Sequence, residues 1–277
     1  MKKILSFTIL SFLLLFSCKK DEEEVEPLRD VSEQSIADDQ LLEDFLSTHF
    51  YNYEDFEDQT LNPKISFDTI SGDNSSKTSL LSQVTKKTLR VKTSAGDLID
   101  HNLYYLVARE GIGKSPSSVD STYQAYEGLL LDGTVFDGNA NPVWFDLTSL
   151  VRGFREGIPS LKAGTFEVNE DNTVTFQDFG QGAIFFPSGL GYFSNATGVI
   201  PAYSPLIFKI NLYTINPTDH DGDGIPSSEE FDNDGDGVVT EDEIAKPMNR
   251  MMSFMDRNDY GNLSKDEMNR RGRGHGF

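Results

Sequence analysis

The chain has 277 residues, of which 24 are Lys or Arg and 45 are Asp or Glu, giving a formal net charge of −21 at pH 7. A polyanion of this kind repels phosphate backbones, so nucleic acid is excluded as a partner. One cysteine, Cys18, excludes an internal disulfide, and the length suits one core domain with attachments.

Met1 to Cys18 has the layout of an export signal: Lys2 and Lys3, an apolar run from Ile4 to Phe16 too short to span a bilayer, and small Ser17 before Cys18. Leu15-Phe16-Ser17-Cys18 resembles a bacterial lipobox, which implies removal of residues 1–17 and lipid on the Cys18 sulfur. With Lys2 and Lys3 gone, 22 basic against 45 acidic residues leave a mature charge of −23. The following Lys19-Lys20-Asp21-Glu22-Glu23-Glu24 resembles outer-membrane lipoproteins of the Bacteroidetes type. That implies an outer membrane lipoprotein, facing the periplasm or the cell surface and held to the membrane through the lipid on Cys18. The other reading of the acidic cluster is a solvated tether.

Residues 18–37 are polar and acidic, and read as a disordered tether. Residues 38–88 read as a helix and an extension. Asp38 or Asp39 is the expected cap, and Leu42, Phe45, Leu46 and a structural His49 recur at helical spacing before Phe50, Tyr51, Tyr53 and Phe56. Ser71 to Ser79 reads as a loop.

Residues 89–216 read as the core domain. Strands are expected at Leu89 to Val91, Leu103 to Ala108, Ser121 to Leu131 and Leu206 to Tyr213, with a tight turn at Asp132-Gly133. A hairpin is expected across Asn169 to Asn172. In the last strand Phe208, Ile210 and Leu212 share one face, opposite Ile207, Lys209 and Asn211. One short helix, capped by Thr148 or Ser149, carries Val151, Phe154, Ile158 and Leu161. The expected class is α+β, a curved antiparallel β-sheet wrapped on a short helix, with room for a pocket between the two.

Tyr126-Glu127-Gly128, Phe136-Asp137, Leu150-Val151-Arg152-Gly153-Phe154, Phe186-Pro187-Ser188-Gly189-Leu190-Gly191-Tyr192, Val199-Ile200-Pro201 and Leu206-Ile207-Phe208 bring together rings, branched aliphatics and one carboxylate, without a nucleophile. A site so built suits a reaction that makes and breaks no bonds, such as rotation about an X-Pro amide. In order and spacing these segments resemble FKBP-type peptidyl-prolyl cis/trans isomerases from about Leu103 to Ile215.

The resemblance implies pocket walls at Tyr126, Phe136 and Phe208, a floor at Phe154, and an aliphatic lining of Leu150, Val151, Val199 and Ile200. It also implies polar contacts from Asp137 and Tyr192, with the Val151 N–H and the Tyr192 hydroxyl meeting the carbonyls of bound peptide. Departures from the family pattern are Phe154 where Trp is frequent, Val143 where an aromatic residue usually precedes Phe145, Phe193, Ala202, and an insertion between Gly164 and Gly182.

Residues 217–269 form an acidic region that resembles EF-hand calcium loops. Asp219, Asp221, Asp223, Ser227 and Glu230, and then Asp232, Asp234, Asp236, Thr240 and Glu243, place oxygens at positions 1, 3, 5, 9 and 12. The carbonyls of Ile225 and Val238 stand at position 7. A third loop keeps Asp256, Asn258 and Glu267, with Tyr260 at position 5. The first loop lacks room for an exit helix, and is expected to bind calcium in an extended form with His220 exposed. Residues 270–277 read as a basic disordered tail.

The reading is therefore an FKBP-type isomerase with proline-containing polypeptides as partners, assisting folding of exported proteins, with calcium in a structural role not required for the isomerase chemistry. The alternative is a non-catalytic, calcium-stabilised module for proline-peptide binding or surface adhesion.

Overall fold

The first element, helix α1 (Val31–Thr48), is closed at its N-terminus by Asp30, whose Oδ1 accepts from the Ser32 and Glu33 N–H groups at 2.9 and 3.0 Å. The structure, a computed structural model, describes residues 27–58, 60–240 and 242–244. Cys18, the third acidic loop and the basic tail lie outside the described residues.

The helix starts ahead of the Asp38 or Asp39 cap read from the sequence and takes in part of the stretch read as a disordered tether. Asp38 is an interior helical residue and fully buried. The cause is a polar inner face: Gln34, Ser35 and Asp38 are buried before Leu42, Phe45 and Leu46, so apolar periodicity begins later than the helix. His49 stacks on Phe45 with ring centroids 4.0 Å apart, a structural role as expected.

Two short strands, β1 (His49–Tyr51) and β2 (Phe67–Thr69), pair antiparallel beside α1. Further along the chain come β3 (Thr85–Lys92), β4 (Leu98–Arg109), β5 (Ser121–Leu129), β6 (Val135–Asp146), helix α2 (Arg152–Gly157), β7 (Thr165–Val168), β8 (Val174–Gln177), β9 (Gly180–Phe186) and β10 (Leu206–Asn216). Six of these strands make one antiparallel sheet in the order β3-β4-β9-β10-β5-β6. The insertion between Gly164 and Gly182 is the β7–β8 hairpin, laid on the sheet through Phe176, whose ring is 5.2 Å from Tyr213 and 5.4 Å from Tyr123.

β6 and β9 escape a strand reading for different reasons. β6 contains Gly138, Asn139, Asn141 and Pro142, which break alternation, and its pairing with β5 shifts register twice. β9 is buried at every position, so it has no polar face.

The sheet is covered on both sides. Leu206, Phe208, Ile210 and Leu212 of β10 join Phe154, Ile158, Leu161, Ile184 and Phe186 on the α2 side. On the opposite side Ile207 joins Leu42, Phe45 and Leu46 of α1 with Tyr104, Leu106 and Phe185. Burying three such apolar side chains of α1 contributes roughly 1.5–3 kcal/mol each, enough to dock a helix that leaves Ile36 and Leu41 on its exposed face.

α2 is shorter than expected and its start differs. Thr148 and Ser149 sit in a separate 3-10 turn, capped by the Asp146 Oδ1 that accepts from the Thr148 N–H at 2.9 Å. Val151 precedes α2 without a side-chain cap.

Candidate active site

Phe208 of β10 is the hub of a ring cluster on the α2 side. Its centroid lies 4.8 Å from Phe154, 5.4 Å from Phe136 and 6.4 Å from Tyr126, the first two edge-on. Such offset and edge arrangements match positive ring edges to negative faces. Two rings not assigned from sequence complete it: Phe145 stands 5.3 Å from Tyr126 and 6.4 Å from Phe154, and Phe186 stacks on Phe208 at 5.8 Å. Phe186 stood in the quoted Phe186-Pro187-Ser188-Gly189-Leu190-Gly191-Tyr192 segment without a role, and Phe145 lies in the irregular β6, where no alternation marks its face.

Two glycines permit this closeness. A Cβ on Gly128 would stand 2.6 Å from the Phe136 ring, and one on Gly153 would stand 2.3 Å from the Phe186 ring. Glycine at those points lets Phe136 lie across β5 and lets α2 settle on the sheet, which carries Phe154 to the floor.

Leu150, Val151 and Tyr192 are half-buried and pack against the same cluster, and Ile200 is buried within it. Val199 departs from the expected lining: it is 59% exposed on the surface of the rim loop and lies outside the cluster. The Val151 N–H has no acceptor among the described residues, while its carbonyl accepts from the Phe154 and Arg155 N–H groups at 3.0 and 3.1 Å.

The one carboxylate at the mouth is Asp137. Its Oδ2 accepts from the Tyr126 hydroxyl at 2.8 Å and its Oδ1 from the Gly138 N–H at 2.8 Å. Burial, then the hydrogen bond and charge of Asp137, push the Tyr126 phenol up to about 12. An apolar ring cluster flanked by an open N–H donor and a fixed hydroxyl–carboxylate pair can receive a peptide and desolvate one amide. It offers no group for covalent attack.

The acidic region is a second constellation. The carboxylates of Asp219, Asp221 and Asp223 bring oxygens within 4.8 Å of one another, and so do those of Asp232, Asp234 and Asp236. Both loops fold alike. Asp219 accepts from the Gly222 and Gly224 N–H groups and Asp232 from those of Gly235 and Gly237, and all four glycines have positive φ.

The remaining expected ligands are placed differently. Ser227 is buried and its Oγ pairs with His220 Nδ1 at 2.7 Å, and Thr240 bonds Glu243. The Thr240 hydroxyl, and then the Thr240 and Asn233 N–H groups, donate to Glu243 and hold its carboxyl below the usual range. Glu230 is pushed up by burial and by the charges of Asp221, Asp223 and Asp219.

Two expectations fail here. A short helix, α3 (Ser227–Phe231), does follow the first loop, because it begins within the loop at Ser227. His220 is half-buried, with Nε2 3.3 Å from Asp146 Oδ2, so it ties the loop to the turn before Leu150. Phe231, Val239 and Ile244 close a small core with Val119, and the Ser118 hydroxyl donates to the Val239 carbonyl at 2.9 Å. The acidic region is thus docked on the segment leading into β5.

Comparison with known proteins bears on the sheet and its pocket. Residues 113–213 match the family described as FKBP-type peptidyl-prolyl cis-trans isomerase. The chain is 32% identical over 134 residues to the probable FKBP-type peptidyl-prolyl cis-trans isomerase FkpA of Neisseria meningitidis, covering 47% of this chain and 42% of that one. It is 33% identical over 119 residues to the peptidyl-prolyl cis-trans isomerase Mip of Coxiella burnetii, covering 42% and 45%. The chain thus spans less than half the length of these relatives. The crystal structure of FkpA from Escherichia coli is similar over 46% of this chain and 52% of its own, at 26% identity and a TM-score of 0.35. Among the described residues no helix is long and apolar enough to cross a membrane. The segment from residue 113 to 213 is thus the part of the chain that is similar to FKBP-type peptidyl-prolyl cis-trans isomerases.

Proposed function

We propose that this chain is a peptidyl-prolyl cis/trans isomerase acting on proline-containing polypeptides at the bacterial envelope. The observation that carries the reading is the convergence of Tyr126, Phe136 and Phe154 on Phe208, with the Tyr126–Asp137 pair at the mouth. An X-Pro amide rotates over a barrier of about 18–20 kcal/mol because the planar form keeps its resonance. Twisting removes that resonance and weakens the carbonyl dipole, so a dry aromatic cavity binds the twisted form better than the planar, hydrated one. Each 1.36 kcal/mol of preference is about tenfold in rate.

In this mechanism Phe154, Phe208 and Phe136 enclose the proline ring, the Val151 N–H and the Tyr192 hydroxyl hold the carbonyls of the bound peptide, and Asp137 lies beside the rotating amide. The test is a prolyl-peptide isomerisation assay on the chain from residue 27 onward: turnover above the uncatalysed rate, lost in Asp137→Ala and Phe154→Ala, supports the reading. A background rate in the parent chain sinks it.

The finer reading adds a lipid on Cys18, which would hold the domain to the outer membrane, and calcium in the acidic loops. Three carboxylates brought within 4.8 Å of one another repel unless a cation lies between them, and all-oxygen donors suit a hard ion of calcium size. Asp219, Asp221 and Asp223 with Glu230, and Asp232, Asp234 and Asp236 with Glu243, would hold it. The Ile225 and Val238 carbonyls would complete the sets. The bound ion would stabilise the region and take no part in the rotation. Mass spectrometry of the membrane-bound chain, with acyl mass on Cys18 as the expected result, tests the anchor.

A further inference from the structure

The pocket rim from Ser188 to Tyr203 carries Tyr192 and Ile200 but has little regular structure. It consists of a 3-10 turn at Ser188–Leu190 and one bridge between Thr197 and Ile200, with Phe193 and Tyr203 at φ +47° and +61°. Non-glycine residues keep such a backbone only where their surroundings impose it. Part of those surroundings is the N-terminal segment.

At one end of the rim, Asp38 Oδ2 accepts from the Ser188 N–H at 2.8 Å and from the Ser188 hydroxyl at 2.6 Å. At the other end, the Arg29 guanidinium lies 4.3 Å from the Tyr203 ring centroid, and the Arg29 N–H donates to the Tyr203 hydroxyl at 3.2 Å. Gln34 joins the two. It accepts from Arg29 Nη1 at 3.0 Å and donates to Asp38 Oδ1 at 2.6 Å.

The result is one polar chain, Tyr203–Arg29–Gln34–Asp38–Ser188. Its inner members are sealed from water, with Asp38 and Ser188 at 0% exposure and Gln34 at 5%. A buried carboxylate holding both donors of one serine leaves that serine no alternative partner, so the turn is fixed where α1 places it.

We infer that Asp38 and Arg29 are positioning residues for the pocket, setting the rim that carries Tyr192 and Ile200 and hence the affinity for residues flanking the proline. The affinity part rests on the isomerase reading above. The order of the rim does not.

The experiment uses the full chain with Asp38→Asn, Ser188→Ala, the double variant, Arg29→Ala, and Ser35→Ala as control. Ser35 holds the same helix to β4 by donating to the Asp100 carbonyl at 2.8 Å and does not touch the rim. Amide hydrogen exchange is read at Leu190, Gly191 and Phe193, whose N–H groups donate to Pro187 and Ser188 carbonyls. Melting temperature, KM and kcat for a proline peptide are read alongside.

Asp38→Asn puts an amide N–H₂ where an acceptor is needed. It should speed exchange at these three amides about tenfold and raise KM about fivefold with kcat within about twofold, as for loss of one or two charge-assisted bonds. Arg29→Ala should do the same more weakly. The double variant should be no worse than Asp38→Asn alone. Ser35→Ala should change neither exchange nor KM.

Unchanged exchange in folded Asp38→Asn, or an equal change in Ser35→Ala, overturns the inference. If Asp38→Asn does not fold, Ser188→Ala removes one donor to the same carboxylate and is judged by the same readouts. A parent chain without turnover defeats the isomerase reading alone, because exchange and peptide binding still decide the role of Asp38.

Discussion

The Tyr126 hydroxyl reaches the Asp137 carboxylate at 2.8 Å diagonally across the β5–β6 pair, since Tyr126 is in register with Asn139 and Asp137 with Gly128. The diagonal contact ties Asp137 to a ring that packs on the Phe208 cluster. Asp137 is exposed, so the pair contributes little to folding, and in the proposed mechanism it serves to fix the carboxylate beside the substrate amide.

Tyr126→Phe should lower kcat/KM about tenfold, the cost of one hydrogen bond to a charged group, while moving the melting temperature by no more than a few degrees. With its pKa pushed up to about 12, the phenol stays a donor throughout pH 6–9, so the parent rate should be flat over that range. A steep pH–rate profile there, or a variant that keeps full activity, would count against this role.

Phe154 touches two rings and is 4% exposed, so it separates packing from aromatic shape. Phe154→Leu keeps most of the buried area and should cost about 1–3 kcal/mol of unfolding free energy, combining the lost edge contacts with a small volume change. Turnover should fall at least tenfold because the floor no longer fits the proline ring. Urea unfolding and the peptide assay on the same variant check the two effects separately.

The pocket was legible because its residues occur in local motifs: the Tyr126-Glu127-Gly128 strand, the turn at Asp132-Gly133 and the alternating β10 each carry period and punctuation in sequence. The N-terminal layer was legible only in part. Leu42, Phe45 and Leu46 mark the apolar half of α1, but its first turns bury Gln34, Ser35 and Asp38, and polar residues that satisfy each other inside a fold look in sequence like residues facing water. The same blindness covers His220, whose partners Ser227 and Asp146 come from different elements. Val199 shows the converse, an apolar residue in a pocket motif that the loop leaves outside.

His101 gives a pH prediction. Its ring is 1% exposed and so close to Gly189 that a Cβ there would stand 2.3 Å from Cε1. Burial and the positive Arg152 hold its pKa below the ordinary 6.5. A histidine with a depressed folded pKa contributes stability that is present above 6.5 and lost as pH falls toward the folded value. The loss is up to about 1.4 kcal/mol per pH unit within that window. The parent should therefore lose more stability than His101→Leu between pH 7 and pH 5, as read from urea midpoints at each pH. Parallel curves for the two proteins would remove His101 from the acid response.

Calcium occupancy should be visible at Trp144, the one tryptophan of the chain, which is 53% exposed and two residues from the Asp146 that His220 contacts. Ordering the first loop should firm that contact, so titration with calcium should change tryptophan emission and raise the melting temperature of the acidic region. At a calcium concentration about a hundredfold above Kd the gain is about 2.7 kcal/mol. Glu243 discriminates binding from mere charge relief. Its carboxylate accepts from the Thr240 hydroxyl and from the Thr240 and Asn233 N–H groups, and a cation in the second loop would compete with them for it. Glu243→Gln keeps one acceptor oxygen, sets its N–H₂ against the other amide and loses the charge, so it should melt somewhat below the parent in EDTA and, in addition, lose much of the calcium-induced gain. Equal gains in parent and variant would mean that the ion screens the acidic surface instead of entering the loop, because screening is indifferent to which carboxylate is neutralised.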